Sequence, residues 1–189
     1  MICTWNVRGA GKKGFARLIN DMKDYHNIDI FVILEPRISG KRATSIISKL
    51  GFASSFIVEA DGFSGGFWLL WKPTRVSVGV VASSRQSITA LVSENAKVFI
   101  LTIVYASPNV MFRRSIWGYL HKIRKCFKGP WLVAGDFNEI VSLSEKRGGR
   151  SNFSKSGFLE WINNNGLIDM GFIGQKFTWM AKRGVGNEI

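Results

Sequence analysis

The stretch Asp29-Ile-Phe-Val-Ile-Leu-Glu35 decides the fold, because its apolar residues run without interruption between two carboxylates. A strand with one face in water alternates apolar and polar side chains, whereas a strand buried on both faces is apolar throughout. The stretch therefore predicts a strand in the interior of a layered structure, and Pro36 ends it.

Helices and further strands are predicted on both sides of this central strand. Apolar residues at helical spacing predict helices at about 12–25, 41–50, 111–126 and 153–165. The first helix is predicted to place on one apolar face Phe15, Leu18, Ile19, Met22 and Tyr25. Strands are predicted at about 1–6, 55–59, 66–72, 75–81, 87–92, 97–106, 131–134 and 175–180. This order favours an α/β fold, a four-layer sandwich of two sheets with helices packed outside, formed by a single domain over residues 1–189.

The composition is strongly basic. The chain carries a formal net charge of +13 over 189 residues, and its sequence pI is about 10.2. Such a charge favours a polyanionic partner, and a pI above roughly 9 favours nucleic acid. Charge alone leaves DNA, RNA and an anionic membrane surface as alternatives.

The cysteines and the apolar segments indicate a cellular setting. Cys3 and Cys126 show neither a metal-ligand spacing nor a disulfide framework, which favours a reducing compartment, nuclear or cytoplasmic. No stretch approaches the roughly 20 apolar residues of a membrane span, and the first residues lack the pattern of a signal peptide. We therefore expect an intracellular protein with no membrane partner.

Polar side chains stand where several predicted strands end. They are Asn6, Glu35, Tyr105, Asp136 and Asn138. At the edge of a packed sheet such side chains can converge on one place. Hydrolysis of a phosphodiester needs a hard cation, an activated water and donors for the developing negative charge. Because Mg²⁺ prefers one or two carboxylates together with waters and substrate oxygens, the carboxylates and asparagines of this set are sufficient for part of that task.

Each of these residues also has a purely structural alternative. Glu35 before Pro36 is compatible with a solvated strand end, and Tyr105 with a core tyrosine whose hydroxyl reaches the rim. Asp136 and Asn138 are typical of Asx turns, in which the side chain binds the nearby backbone, and Asn6 has the same alternative. Residue types and spacing leave both possibilities open.

Several short motifs follow one another along the chain. They are Thr4-Trp5-Asn6-Val7-Arg8-Gly9, Leu34-Glu35, Gly65-Gly66, Leu69-Leu70-Trp71, Tyr105-Ala106-Ser107-Pro108 and Gly135-Asp136-Phe137-Asn138. In this order they resemble the endonuclease/exonuclease/phosphatase superfamily, also called DNase-I-like. A second set is similar to endonuclease domains of plant LINE-type (non-LTR) retrotransposons, namely Glu145-Lys146-Arg147-Gly148-Gly149, Gly166-Leu167-Ile168-Asp169-Met170-Gly171 and Phe177-Thr178-Trp179. The resemblance covers essentially the whole chain.

The resemblance implies a role for each residue at the strand ends. Glu35 matches the carboxylate that binds the metal, Mg²⁺ or alternatively Mn²⁺. Asn6 matches an asparagine beside the metal and the scissile phosphate, and Asp136 matches the aspartate that orients or deprotonates the attacking water. Asn138 and Tyr105 match residues that contact the phosphate.

The sequence departs from the family pattern in two places. Pro36 follows Glu35 where family members usually carry a small hydroxyl residue, which alters the hydrogen bonds around the carboxylate. The family closes with an aspartate in an Ile-Asp-Arg-like strand and then a Ser-Asp-His motif, and neither is present. The histidines His26 and His121 lie in predicted helices and are expected to face solvent. We therefore expect the sandwich to be incomplete at its C-terminal side.

Clusters of basic residues follow three of the motifs. They are Arg8, Lys12 and Lys13, then Arg113 and Arg114, then Lys146, Arg147 and Arg150. Because each cluster follows a strand end, we expect Arg8, Arg113 and Arg114 to contact a phosphate backbone at one edge of the sandwich. Plain solvated loops are the alternative. Thr178, in Phe-Thr-Trp, resembles a further phosphate-contacting residue of the family.

The combined hypothesis is a metal-dependent phosphodiester hydrolase. In its specific form the protein is a DNA endonuclease that nicks DNA for a LINE-type retroelement, is fused to a reverse transcriptase in the full-length element, and is inactive as this fragment. One alternative keeps the fold and changes the substrate to a phosphoinositide or another phosphate ester, since fold does not settle substrate. Another alternative is a catalytically dead remnant that binds nucleic acid.

Overall fold

The secondary structure comes from a computed structural model that describes residues 1–62, 64–147 and 157–178. The strands are β1 (Ile2–Asn6), β2 (Ile30–Leu34), β3 (Ser54–Val58), β4 (Phe67–Trp71), β5 (Ser77–Ser83), β6 (Ser87–Glu94), β7 (Lys97–Tyr105) and β8 (Trp131–Asp136). The helices are α1 (Phe15–Tyr25), α2 (Gly40–Ile47), α3 (Val110–Cys126) and α4 (Phe158–Asn164), with a 3-10 turn at Leu143–Glu145. Up to residue 136 every predicted element is confirmed, with ends that differ by at most three residues.

The strands form two four-stranded sheets, with the order β1-β2-β4-β3 in the first and β5-β6-β7-β8 in the second. β1 runs parallel to β2 and β7 runs parallel to β8, while the other neighbours are antiparallel. The strand predicted from the apolar run is β2, and none of its residues is more than 1% exposed. Its expected burial on both faces is confirmed.

The layers follow from the alternation of side chains along β2, which point to opposite faces of the sheet. Phe31 and Ile33 pack with α1 and α2, whereas Ile30, Val32 and Leu34 pack against the second sheet. α3 and α4 cover the outer face of the second sheet through a further apolar cluster. The order helix, sheet, sheet, helix confirms the predicted four-layer α/β sandwich.

Helix α1 buries a narrower face than the sequence predicts. Phe15 and Ile19 are buried, but Leu18 is 45% exposed and Tyr25 is 83% exposed. Lys23 lies on the buried face instead, because its aliphatic stem is covered while its ammonium group donates a hydrogen bond to a side chain of the same helix. The prediction was therefore wrong for Leu18 and Tyr25.

The C-terminal part departs most from the predicted pattern. α4 begins at Phe158, and residues 153–156 of the predicted helix lie outside the described part. Residues 175–178 do not form the predicted strand, and its last two residues are also outside the described part. The expected incompleteness of the sandwich is tested by none of the described residues and stays a prediction. In the same described ranges, no helix has the length and apolar character needed to cross a membrane.

Candidate active site at the strand ends

Four strand ends from the two sheets meet at one edge of the sandwich. Asn6 is the last residue of β1, and Glu35 directly follows β2, which is parallel to β1. Tyr105 and Asp136 are the last residues of the parallel strands β7 and β8 in the other sheet, where they are paired in register. Parallel strands bring their carboxyl ends to the same edge, so each sheet contributes one carboxylate to this place.

Glu35 is the centre of the site. It is only 7% exposed, although its side chain is a carboxylate. Its Oε1 accepts hydrogen bonds from the Tyr105 hydroxyl and, at 3.4 Å, from the Asn6 amide. Its Oε2 accepts from Arg37, with Nε at 3.0 Å and Nη2 at 2.5 Å. These donors compensate for the loss of water around the buried charge.

Asn6 connects the carboxylates of the two sheets. Its Nδ2 donates to Asp136 Oδ2 at 3.0 Å in addition to its longer contact with Glu35. Its Oδ1 accepts the backbone N–H of Arg8 at 3.2 Å, which fixes the orientation of the amide. One amide group therefore holds the two acidic residues of the site at a defined separation.

The Gly-Asp-Phe-Asn segment combines the predicted turn with the predicted site. Asp136 Oδ1 accepts the backbone N–H of Asn138 at 3.1 Å, as in an Asx turn, while Oδ2 faces Asn6. Asn138 Nδ2 donates to the carbonyl oxygen of Ala106 at 2.7 Å and thereby ties the turn to the end of β7. The turn alternative is therefore present, and it orients Asp136 toward the Asn6 amide.

Left-handed backbone conformations are concentrated at this edge. Among the described residues other than glycine, seven have positive φ, and four of them lie here: Arg8 (49°), Glu35 (52°), Arg37 (56°) and Asn138 (49°). Each such residue costs on the order of 1–3 kcal/mol and persists only where surrounding contacts hold it, a pattern that clusters at active sites.

The environment shifts the pKa values of Glu35 and Tyr105 in opposite directions. Burial alone would raise the pKa of Glu35, but hydrogen bonds from Tyr105, Arg37 and Asn6, with the charge of Arg37, hold that pKa below its ordinary value. Burial and the acceptor Glu35 raise the pKa of Tyr105 well above its ordinary value. The site thus holds an ionised glutamate and a protonated tyrosine at neutral pH.

The donor set fits a hard divalent cation in its chemistry. Within the described residues no group of three or more His, Cys, Asp or Glu residues could hold a metal ion. Mg²⁺ does not require such a cage, because it is usually held by one or two carboxylates with waters and substrate oxygens. Glu35 and Asp136, joined through Asn6, supply this pair.

The structure corrects the expectation for Arg113. Its side chain is buried, and its Nε donates to Glu139 Oε1 at 2.6 Å. Its Nη1 donates to the carbonyl oxygens of Ser107 and Pro108 at 2.6 and 2.9 Å. Arg113 therefore fastens the start of α3 to the loops after β7 and β8, and it is not presented to a phosphate backbone.

The other predicted basic contacts remain at the surface. Arg114 is exposed beside Arg113, and Arg8 follows β1 at the site. Lys12, Lys13, Lys146 and Arg147 are also exposed, whereas Arg150 lies outside the described residues. Thr178 is exposed, and no hydrogen bond described in the structure joins it to the strand-end residues.

The histidines take no part in the site. His26 is exposed as expected. His121 is half-buried, with its Nδ1 3.1 Å from Asn165 Oδ1, which corrects the expectation that it faces solvent. This contact joins α3 to the residue that follows α4, so its role is structural.

Arg37 and Glu139 are the residues that the sequence reasoning missed. Arg37 stands two positions after Glu35 and donates two hydrogen bonds to it, and Glu139 neutralises Arg113. A basic residue next to a proposed metal ligand is a signal that was available for Arg37. No local pattern indicates Glu139, because its partner is 26 residues away in sequence.

The sandwich and the paired carboxylates at its edge define a DNase-I-like α/β protein. Residues 3–184 match the Endonuclease/Exonuclease/phosphatase family, and the chain belongs to that family. No curated protein sequence matches the chain.

Several solved structures share the fold. The endonuclease domain of TRAS1, a telomere-specific non-LTR retrotransposon, is 14% identical with a TM-score of 0.61, over 86% of this chain and 70% of that domain. An AP endonuclease from Archaeoglobus fulgidus is 15% identical with a TM-score of 0.56, over 78% and 60%. D. rerio TDP2 complexed with single-strand DNA product is 16% identical with a TM-score of 0.54, over 90% and 66%. The chain thus spans 60–70% of the length of these structures.

Proposed function

We propose that the protein is a metal-dependent DNA endonuclease that nicks DNA for a LINE-type retroelement. The observation that carries this proposal is the Asn6 amide, which holds Glu35 and Asp136 together at the meeting point of four strand ends. The net charge of +13 favours a nucleic-acid substrate over a neutral one. The likeness in fold to the TRAS1 endonuclease domain supports the retroelement. A fusion to a reverse transcriptase in the full-length element stays a proposal on the family resemblance alone.

In this proposal each residue at the strand ends has a distinct task. Glu35 would hold Mg²⁺ or Mn²⁺, which when bound would supply electrophilic activation of the phosphate. Asp136 accepts a proton from the attacking water, since its Oδ2 faces the site while Oδ1 is engaged in the turn. Tyr105 acts by holding Glu35 in place, because its hydroxyl donates to that carboxylate. Asn138 keeps the Asp136 turn fixed to the end of β7.

The DNA backbone is proposed to lie along the same edge of the sandwich. Arg8 and Arg114 remain as the basic contacts after Arg113 is assigned to its ion pair with Glu139. Thr178 stays a proposed phosphate contact on the family resemblance alone. Contacts of this kind neutralise phosphates, so the affinity for DNA should fall as salt concentration rises.

The test compares Glu35→Ala with Glu94→Ala in Mg²⁺-dependent nicking of supercoiled plasmid. Glu94 is a matched control, because it is an exposed carboxylate at the end of β6, which runs antiparallel to β7 and so ends away from Tyr105. We expect Glu35→Ala to abolish nicking and Glu94→Ala to retain it. Equal nicking by both variants would contradict the assignment of Glu35.

The assay uses residues 1–189 and a version extended by the homologous C-terminal segment of a retrotransposon endonuclease, since the sequence contains no Ser-Asp-His motif. We expect nicking by the extended protein. Release of phosphate from inositol lipids without nicking of the plasmid would show that the substrate is another phosphate ester and not DNA. DNA binding without hydrolysis of either substrate would instead identify a binding remnant.

A further inference from the structure

The guanidinium group of Arg37 covers the carboxylate proposed to bind metal. Its Nε and Nη2 both donate to Glu35 Oε2, at 3.0 and 2.5 Å, in a fork. The side chain of Arg37 is 44% exposed, whereas that of Glu35 is 9% exposed. Arg37 therefore lies between the buried carboxylate and the surface of the site.

The hydrogen bonds to Glu35 use the acceptor capacity of its carboxylate. A carboxylate has about four lone-pair positions, two on each oxygen. At Oε1 these face the Tyr105 hydroxyl and the Asn6 amide, and at Oε2 they face the two nitrogens of Arg37. A cation that binds Glu35 must therefore replace one of the present donors.

Arg37 is the donor that can leave at the lowest cost. Tyr105 is buried, and its ring packs edge-on against Phe67 at a centroid distance of 6.4 Å. Asn6 is held by Asp136 as well as by Glu35. In the described part of the chain the side-chain hydrogen bonds of Arg37 all go to Glu35, and its exposed stem can rotate into water.

We propose that Arg37 is a built-in counter-cation of Glu35 that competes with the divalent metal and must swing out before the metal binds. The inference rests on the proposed function, because it assumes that Glu35 is the metal ligand. Arg37 is here a residue that sets metal affinity, and it takes no part in the hydrolysis. In the metal-free protein Arg37 neutralises the buried carboxylate of Glu35. The metal must displace Arg37, so the free energy of this ion pair lowers the affinity for the metal.

The test is direct titration of Mn²⁺ into the protein without DNA, followed by the loss of the free-ion EPR signal or by calorimetry. Arg37→Ala should bind Mn²⁺ about tenfold more tightly than the wild type, a difference of about 1.4 kcal/mol. Arg37→Lys keeps the charge but loses the fork, so its Kd should lie in between. Arg17→Ala is the matched control, because it removes an exposed arginine from α1, outside the site, and should leave the Kd unchanged.

A second readout keeps the inference testable if Arg37→Ala is less stable than the wild type. Removing Arg37 leaves a buried carboxylate without its cation, so the metal-free variant should melt at a lower temperature. Addition of Mn²⁺ should then raise Tm by more in Arg37→Ala than in the wild type, since ligand binding stabilises by mass action. An equal rise in both proteins, or a larger one in the wild type, would overturn the competition.

Glu35→Gln separates failure of this inference from failure of the proposed function. If Glu35→Gln abolishes Mn²⁺ binding while Arg37→Ala leaves the Kd unchanged or raises it, the inference about Arg37 is overturned and the metal site stands. If Glu35→Gln leaves Mn²⁺ binding intact, or if neither wild type nor Arg37→Ala binds Mn²⁺, both the metal site and the inference are overturned.

Discussion

The hydroxyl of Tyr105 gives the sharpest test of how the carboxylate of Glu35 is held. Tyr105→Phe removes one hydrogen bond to Glu35 and leaves the ring and its contact with Phe67 in place. A hydrogen bond to a charged group contributes about 1.5–3 kcal/mol, and both partners are buried, so we expect the free energy of unfolding to fall by about 2 kcal/mol at neutral pH.

The loss should depend on pH in a defined direction. The pKa of Glu35 is lowered in the folded protein, so its ionisation stabilises the fold above the unfolded pKa of about 4.3, and this contribution is lost as pH falls through the lowered folded pKa. Tyr105→Phe removes one cause of the lowering and should therefore raise the pKa of Glu35. Its cost should shrink toward that of a neutral hydrogen bond, about 1 kcal/mol, as Glu35 is protonated.

The assay is urea unfolding of wild type and variant at several pH values from neutral to below the ordinary glutamate pKa of about 4.3, where the lowered pKa of Glu35 is reached. Tyr25→Phe is the control, because Tyr25 is 83% exposed and its hydroxyl has no hydrogen-bond partner among the described residues. Its effect should stay within about 0.5 kcal/mol at every pH. If Tyr105→Phe costs no more than Tyr25→Phe at neutral pH, the hydroxyl does not support Glu35 and its assignment as a positioning residue is wrong.

Three further substitutions test the remaining assignments. Asp136→Asn should lower turnover by roughly 10²–10⁴ with little change in DNA affinity, because the amide cannot accept the proton. An equal loss of DNA affinity in a binding titration would indicate that Asp136 has only a structural role in the turn. Arg114→Ala should lower the slope of log affinity against log salt by about one unit, and an unchanged slope would remove Arg114 from the interface. Arg113→Ala should instead destabilise the fold by up to about 3 kcal/mol in chemical unfolding, because it leaves the partly buried Glu139, whose side chain is 13% exposed, without its partner. If Arg113→Ala lowers the slope of log affinity against log salt without destabilising the fold, Arg113 is a DNA contact after all.

The fold was predictable because its strands differ in pattern. The uninterrupted apolar run of β2 and the alternation of Val78 and Val80 with Ser77 and Gly79 report different burial, and both observed strands match. α1 was less predictable, because apolar residues at helical spacing covered a wider face than the sheet could bury. Which of Leu18, Tyr25 and Lys23 lies against the core depends on the neighbouring layer, and the sequence of α1 does not contain that information.

The site was predictable in its members and less so in their partners. The carboxylates and Asn6 stand at strand ends that the sequence reveals, and the structure brings them together. The partners of Tyr105 and Arg113 depend on distant residues: Tyr105 meets Glu35 across 70 positions, and Arg113 meets Glu139 across 26. Composition and charge cannot distinguish a surface arginine from a buried one. The sequence therefore predicts the same phosphate-contacting role for Arg113 and Arg114.

The balance of charge at the strand ends connects the fold with the proposed metal chemistry. Each sheet delivers one carboxylate to the edge, and Asn6, although it donates to both, carries no charge. The two carboxylates and Arg37 together carry one negative charge in excess, and the carboxylates alone carry two, which matches a divalent cation. Like charges raise each other's pKa unless a cation accompanies them. The two-sheet architecture therefore brings together two carboxylates whose charge Arg37 neutralises in part. A bound Mg²⁺ or Mn²⁺ would neutralise it in full.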